Sequence, residues 1–293
     1  MCFTTLLLLI TPGIQDSTHS AQVVSYLKST RHLSGGYLAT PKAVDPSLSS
    51  TSSAIRALQH FGGQPQDRRK TADYLRSCFA PQQGQFSEFP GGPTSYRSTA
   101  VGVMGMVALG ERFTPAELSR IQETLYKSDQ PEEVRLGAAA IESLVLAGQL
   151  QHVPADWLPL LNRVFKKALQ PDGTYGEGLA KARTTAGYAA AYLRLGYPLG
   201  EKDRILKLLQ DQQHSSGSWT NEKGEPDLEA TYRVMRCLYL MRCSDKELLG
   251  RCEKFINSCR QPDGGYGLAG SGSNVPSTYF AGSILHWVHE LRK

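Results

Sequence analysis

A glycine followed by an aromatic residue recurs along this chain in similar surroundings. The clearest copy is Gln-Pro-Asp-Gly-Gly-Tyr-Gly at residues 261–267, and Gln-Pro-Asp-Gly-Thr-Tyr at residues 170–175 is close to it. The aromatic positions are Tyr37, Phe86, Tyr175, Trp219 and Tyr266. They lie about 45 residues apart, and one interval is about twice as long, as expected if one copy has degenerated. A repeat of this length is typical of stacked helical hairpins or of propeller blades.

The segments around each copy favour hairpins. Amphipathic helix patterns precede the glycines, at residues 69–79, 158–169, 201–212 and 246–259. Segments that are small and apolar nearly all round follow them, at residues 99–109, 184–195 and 231–240. The degenerate copy fits the same scheme with residues 116–126 and 134–147. Helices with one polar face belong outside and helices that are apolar all round belong inside, so we predict an all-α fold, an α/α toroid of six hairpins.

The glycine-aromatic turn is predicted to be structural. Glycine supplies the positive φ that often ends a helix, and Pro-Asp-Gly forms turns. The aromatic side chain would fill the gap between neighbouring hairpins.

We expect residues 21–293 to form one toroid domain, preceded by a segment of residues 1–20 that is either processed or part of the first outer helix. The apolar start, Met1 to Ile10, allows a signal peptide, but it lacks a basic region and a clear cleavage site. No run of about 20 apolar residues is present, so no transmembrane segment is predicted.

The charge and the cysteine pattern argue against nucleic-acid binding and against sites built on Cys-x-x-Cys. The formal net charge is +5, and the basic residues are dispersed among acidic ones, so no nucleic-acid partner is expected. None of the six cysteines forms Cys-x-x-Cys. They are interpreted as buried thiols of a cytoplasmic protein, with disulfides as the less favoured alternative.

The repeat resembles that of protein prenyltransferase β subunits and of squalene and other terpene cyclases, over nearly the whole chain. In that family the first residues of the inner helices line the site at one mouth of the ring. The resemblance therefore implies a site for an isoprenoid or its diphosphate. Charged residues at such positions are predicted to hold the anionic head group, namely Arg97, Arg135 and Arg183, with Lys223 in a nearby loop. Pairing of these arginines with glutamates of adjacent hairpins stays open as an alternative.

The zinc-dependent branch of the family has Asp-x-Cys-Tyr at the fifth inner helix and His-Thr-Tyr at the sixth. Aligned on Tyr232 and Tyr279, this chain has Glu229, Thr231 and Ser277 at the three ligand positions. Hydroxyls are poor zinc ligands, so we predict no metal site and no cofactor, although Mg²⁺ could accompany a diphosphate substrate.

The cyclase branch protonates its substrate with the middle acid of Asp-x-Asp-Asp-Thr-Ala. The corresponding residues 227–232 are Asp-Leu-Glu-Ala-Thr-Tyr. We therefore predict Glu229 as the acid and Asp227 as its orienter, because a nearby like charge favours the protonated form. Tyr188, Tyr232 and Tyr279 are predicted to enclose the apolar chain and to stabilise a carbocation. The alternative is that Asp227 caps the helix and Glu229 occupies its first turn.

Three functions remain open at this stage. The favoured one is an isoprenoid-handling enzyme, cyclase-like or prenyltransferase-like, with metal-independent acid chemistry in a central cavity. The second is a non-catalytic toroid that binds a lipid or protein. The third is a prenyltransferase β-like subunit that works with a helical partner subunit.

Overall fold

The computed structural model of the protein describes residues 17–293, so the segment Met1 to Ile10 lies outside the described residues. Within that range the chain forms twelve α-helices. The outer helices are α1 (Ser17–Ser29), α3 (Arg68–Ser77), α5 (Pro115–Tyr126), α7 (Trp157–Phe165), α9 (Lys202–Asp211) and α11 (Lys246–Ser258). The inner helices are α2 (Leu48–His60), α4 (Tyr96–Ala108), α6 (Pro131–Leu146), α8 (Lys181–Arg194), α10 (Leu228–Leu240) and α12 (Val275–Arg292).

Two small antiparallel sheets cover the turns between outer and inner helices. The first has three strands in chain order and pairs Phe86 with both Phe79 and Ser95. The second has two strands and pairs Trp219 with Asp227. Their strands are β1 (Phe79–Ala80), β2 (Gln85–Ser87), β3 (Thr94–Ser95), β4 (Trp219–Thr220) and β5 (Pro226–Asp227).

The six inner helices form a closed ring, because each contacts the next and α12 returns to α2. At that junction Arg56 Nη1 donates to the Tyr279 hydroxyl at 2.9 Å, and Ser283 Oγ lies 3.0 Å from His60 Nε2. The outer helices bury one face only: α9 buries Ile205 and Leu209. The predicted α/α toroid of six hairpins is confirmed.

A buried threonine ties each glycine-aromatic turn to the inner helix that follows. The backbone N–H of Tyr37, Phe86, Tyr175, Trp219 and Tyr266 donates to Thr51, Thr99, Thr185, Thr231 and Thr278 respectively, at 2.8 to 3.1 Å. All five threonines are fully buried. This bond satisfies a buried backbone donor that the tiny sheets leave unpaired.

The turn glycines let each turn lie directly on the next outer helix. Gly217 has φ of 91°, and a Cβ atom there would lie 2.1 Å from the Arg251 carbonyl oxygen of α11. Gly264 has φ of 89°, and its Cβ would lie 2.6 Å from the Gln22 carbonyl oxygen of α1. The last turn therefore rests on the first helix, which closes the outer ring as well.

The inner helices begin a few residues earlier than the sequence pattern predicted. The Ser95 side chain accepts from the Ser98 N–H, and the Asp227 side chain accepts from the Ala230 N–H, so these residues are the N-caps. The threonines that marked the predicted starts lie one turn inside the helices. In the degenerate third hairpin, Gln130 provides no side-chain cap.

The cysteines of residues 17–293 are free and buried, as predicted for packed thiols. Cys2 lies outside the described residues. No helix within residues 17–293 is long and apolar enough to cross a bilayer.

We predict that Thr185→Val lowers the free energy of unfolding by about 1–3 kcal/mol, because an isosteric side chain leaves the buried Tyr175 N–H unpaired. Thr184→Val is the matched control, since Thr184 is the preceding residue and only half-buried. The control should change stability by less than about 0.5 kcal/mol. Denaturant unfolding measures both, and equal losses would contradict the structural role of the bond.

Candidate active site in the central cavity

The inner ring encloses a cavity of about 380 Å³ to which all six inner helices contribute. One part of its wall is aromatic, with Tyr232, Tyr239, Tyr279, Phe280 and Trp287. The other part is basic, with Arg56, Arg97, Arg135, Arg194, Arg233 and Arg236. A larger groove of about 550 Å³ lies between the β2 turn and α5, but its lining is polar and includes none of these residues.

Arginines and glutamates at the N-terminal mouth of the ring form a network that we call the mouth network: Arg135, Arg183, Arg233, Glu132, Glu222 and Glu229. Glu229 binds Arg183 at 2.9 Å and Arg233 at 2.6 Å. Arg233 and Arg135 both bind Glu132, at 2.9 and 3.1 Å, and Arg183 also binds Glu222. The predicted head-group ligands Arg135 and Arg183 are thus already paired with carboxylates: Arg183 with glutamates of the adjacent hairpin, as in the alternative interpretation, and Arg135 with Glu132 of its own helix.

The environment of Glu229 is that of a carboxylate. Burial raises its pKa, but Arg233 and then Arg183 outweigh burial and lower the pKa to about 2. A general acid must be protonated before it reacts. The ion pairs with Arg183 and Arg233 favour the ionised form of Glu229 and so argue against the predicted acid role.

Asp227 does not orient Glu229. Its Oδ1 accepts from the Ala230 N–H at 2.7 Å, which makes it the cap of α10. The helix-capping alternative for this residue matches the geometry.

The remaining two predicted head-group residues lie away from the ion pairs. Arg97 is exposed at the rim of the cavity, and the described residues give it no ion-pair partner. Lys223 is exposed in the turn between β4 and β5, where its backbone N–H donates to Asn221. Lys223 is not part of the cavity wall.

The three predicted tyrosines divide between two places. Tyr232 and Tyr279 face the cavity, with their hydroxyl oxygens 2.9 Å apart. Tyr188 faces outward instead and stacks on Phe165 of α7, with ring centroids 4.3 Å apart. Its predicted place on the cavity wall is therefore corrected, because the apolar face of α7 covers it.

A second charged group, which the sequence analysis missed, lies deeper in the ring. We call it the central cluster: Arg56, Arg194, Arg236, Glu142, Tyr232 and Tyr279. Glu142 binds both Arg194 and Arg236, the latter at 2.7 Å, and Arg56 stacks over the Tyr279 ring with its guanidinium carbon 4.1 Å from the centroid. The sequence contained one signal for this cluster, because Glu142 is a charged residue within the apolar part of α6.

The central cluster is electropositive. Burial lowers the pKa of His60 to about 3, and nearby His286, Arg56 and Arg236 act in the same direction, so His60 is neutral. Burial raises the pKa of Tyr232, yet Arg194, Arg56, the hydrogen bond with Tyr279 and Arg236 together outweigh burial and leave its pKa below the ordinary value. Burial is the main cause for His60, and the nearby guanidinium groups add to it.

Two of the three zinc-ligand positions of the prenyltransferase pattern hold residues whose side chains bind other protein groups. The Thr231 hydroxyl donates to the Asp227 carbonyl and accepts from the Trp219 N–H, and Glu229 is bound by arginines. No group of three His, Cys, Asp or Glu side chains that could hold a metal occurs within residues 17–293. These residues do not fit a zinc ion.

We predict that the stabilising effect of Glu229 depends on pH. Because its pKa is lower in the folded chain than its ordinary 4.5, the contribution is complete above about pH 4.5 and is lost as pH falls towards 2. The stability difference between the wild type and Glu229→Gln should therefore be largest near neutral pH and narrow steadily below pH 4.5.

Denaturant unfolding across this pH range provides the measurement. The control is Glu225→Gln, an exposed residue of the same hairpin, which should change stability by less than about 0.5 kcal/mol at neutral pH. A difference for Glu229→Gln that does not vary with pH would contradict the ion-paired carboxylate.

Comparison with known proteins agrees with this geometry. A sequence model of the prenyltransferase alpha-alpha toroid domain matches residues 1–133 and 126–292. No curated protein matches the sequence significantly.

Solved structures with the same fold include type II terpene cyclases. MstE from Scytonema aligns with a TM-score of 0.61 at 13% identity, over 94% of this chain and 97% of that one. A variant of MstE was solved with geranylgeranyl dihydroxybenzoate as its substrate. ent-Copalyl diphosphate synthase from Streptomyces platensis aligns with a TM-score of 0.58 at 16% identity, over 86% of this chain and 52% of that one. The family match covers both halves of the ring, and the chain therefore belongs to the prenyltransferase α/α toroid family.

Proposed function

We propose that the protein is an isoprenoid-handling enzyme, cyclase-like or prenyltransferase-like, that encloses its substrate inside the ring. The observation that carries the proposal is the composition of the cavity wall, which combines five aromatic rings with six arginines. Aromatic and apolar groups suit an isoprenoid chain, and guanidinium groups suit an anionic head group. A volume of about 380 Å³ lies in the range of small-molecule sites.

Related toroids support this substrate class. The Scytonema cyclase takes geranylgeranyl dihydroxybenzoate, which joins an isoprenoid chain to an acidic head group. The cavity of this chain offers the same two kinds of contact. Because a shared fold does not fix the reaction, the proposal depends on the cavity residues themselves.

The aromatic wall gives the site a means to stabilise a carbocation. Tyr232 packs against Phe280, with ring centroids 4.9 Å apart, and against Trp287, with centroids 5.2 Å apart. A positive charge that develops along a bound chain would lie close to these rings, where cation–π contact lowers its energy. Glu229 has a supporting role in this scheme, since it fixes Arg183 and Arg233.

A second candidate is a non-catalytic toroid that binds an anionic lipid. It is favoured by the ion pairing of the two cavity carboxylates, Glu142 and Glu229, each of which binds two arginines. Neither carboxyl group has the apolar surroundings that keep a catalytic acid protonated.

Product analysis separates the two candidates. We expect wild-type protein incubated with farnesyl or geranylgeranyl diphosphate, with and without Mg²⁺, to form a new isoprenoid product. Trp287→Leu should slow conversion roughly tenfold or more, because it removes a ring that would face the developing charge. Tyr126→Leu, an exposed aromatic on α5, is the control and should leave conversion unchanged.

Saturable binding without any product from these substrates or from squalene would favour the non-catalytic candidate. Absence of binding for all three would contradict the isoprenoid proposal itself.

A further inference from the structure

Positive charge is distributed unevenly between the two charged groups of the cavity. The mouth network contains three arginines and three glutamates, so its formal charges cancel. The central cluster contains three arginines and one glutamate. Arg56, the member that binds no carboxylate, uses its Nε and Nη1 atoms on the Ser52 carbonyl and the Tyr279 hydroxyl.

The central cluster is also the deeper of the two groups. Arg56 and Arg236 are the ninth residues of their helices, Glu142 is the twelfth residue of α6 and Arg194 is the last residue of α8, whereas Arg97 and Glu229 are second residues. At a rise of 1.5 Å per residue, Arg56 and Arg236 lie about 10 Å further into the ring than Arg97 and Glu229, and Glu142 and Arg194 begin from positions further still. The side chains of Arg194 and Arg236 are 14% and 16% exposed, so their charge is poorly compensated by water.

Unused donors are available in this cluster. Arg194 and Arg236 each give one terminal nitrogen to Glu142. The second terminal nitrogen of each, and Nη2 of Arg56, have no hydrogen-bond partner among residues 17–293. Three guanidinium groups from three inner helices therefore retain donors at the wall of one cavity.

We propose that Arg56, Arg194 and Arg236 bind the anionic head group of the ligand, a phosphate or carboxylate group, deep in the ring and not at its N-terminal mouth. Guanidinium forks match the planar or tetrahedral oxygens of such groups. The anion would balance the buried charge that Glu142 leaves uncompensated. The apolar chain would then extend past Leu136 and Phe280, which lie between the cluster and the mouth.

This assignment deepens the proposed function and rests on it for the apolar part of the ligand. Its anionic part can be tested separately, because inorganic pyrophosphate carries the head-group charge without the chain. Farnesol carries the chain without the charge, and farnesyl diphosphate combines the two.

Titration calorimetry with these three probes is the experiment. Arg56→Gln removes one cluster charge and leaves an amide near the position of Nε, beside the Ser52 carbonyl. It should weaken pyrophosphate and farnesyl diphosphate binding about tenfold or more. Farnesol binding should change less than about threefold. Arg97→Gln tests the rim of the same cavity, and the central site predicts a smaller loss there than in Arg56→Gln. Arg69→Gln is the control, since it removes an exposed arginine of outer helix α3 that is not part of the cavity wall, and it should change affinity for either anion less than about threefold.

A second variant, with the opposite expected effect on affinity, distinguishes a loss of charge from general damage to the fold. Glu142→Gln removes the one carboxylate of the cluster, so it should strengthen pyrophosphate binding several-fold. Thermal unfolding reports whether each variant is folded. A loss of affinity in Glu142→Gln protein that remains folded would overturn the assignment.

The outcomes distinguish this proposal from the general one. Anion binding that is lost in Arg97→Gln and retained in Arg56→Gln would place the head group at the mouth and overturn the central site. If the wild-type protein bound neither pyrophosphate nor farnesyl diphosphate, the central anion site would also be overturned. Farnesyl diphosphate that binds no more tightly than pyrophosphate, with farnesol not bound, would remove the isoprenoid proposal and leave the central anion site supported.

Discussion

The hydrogen bond from each turn aromatic to a buried threonine is the interaction on which the rest of the architecture depends. It fixes the connection between the outer and the inner helix in the same way in five of the six hairpins. The turn glycines add the second constraint, since only a residue without Cβ lets the turn lie on the next outer helix. Repetition of both constraints makes the array curve until α12 contacts α2.

The same bond defines what Thr231 does in this chain. Thr231 aligns with the cysteine of the zinc-dependent pattern, and its hydroxyl is occupied by the Trp219 N–H and the Asp227 carbonyl. Four other threonines accept the equivalent bond from their own turns. Thr231 is thus part of the scaffold that defines the cavity.

Charge in the cavity is organised in two layers with different consequences. Ion pairs at the mouth join α6, α8 and α10 and keep Glu229 ionised. The deeper layer contains three arginines and one glutamate next to aromatic rings, with Arg56 over Tyr279 and Arg236 over Trp287. Under the proposed function, this combination suits an anionic amphiphile whose head group reaches the deeper arginines.

The sequence by itself determined the repeat, the inner and outer helices, the closed ring and the structural role of the turns. These features follow from periodicity and from turn chemistry, which are local properties of the chain. It also indicated that Tyr232 and Tyr279 belong near the site.

Only the tertiary structure decided which arginines pair with which carboxylates, that Asp227 caps α10, and that Tyr188 faces α7. The Asp227 cap is local, since it joins residues three positions apart, and the sequence left it open as one of two alternatives. The ion pairs between inner helices join residues 46 to 101 positions apart, and the pKa of Glu229 depends in turn on its pair with Arg183. The central cluster was missed for the same reason, because Arg56, Glu142, Arg194 and Arg236 belong to four helices that meet only when the ring closes.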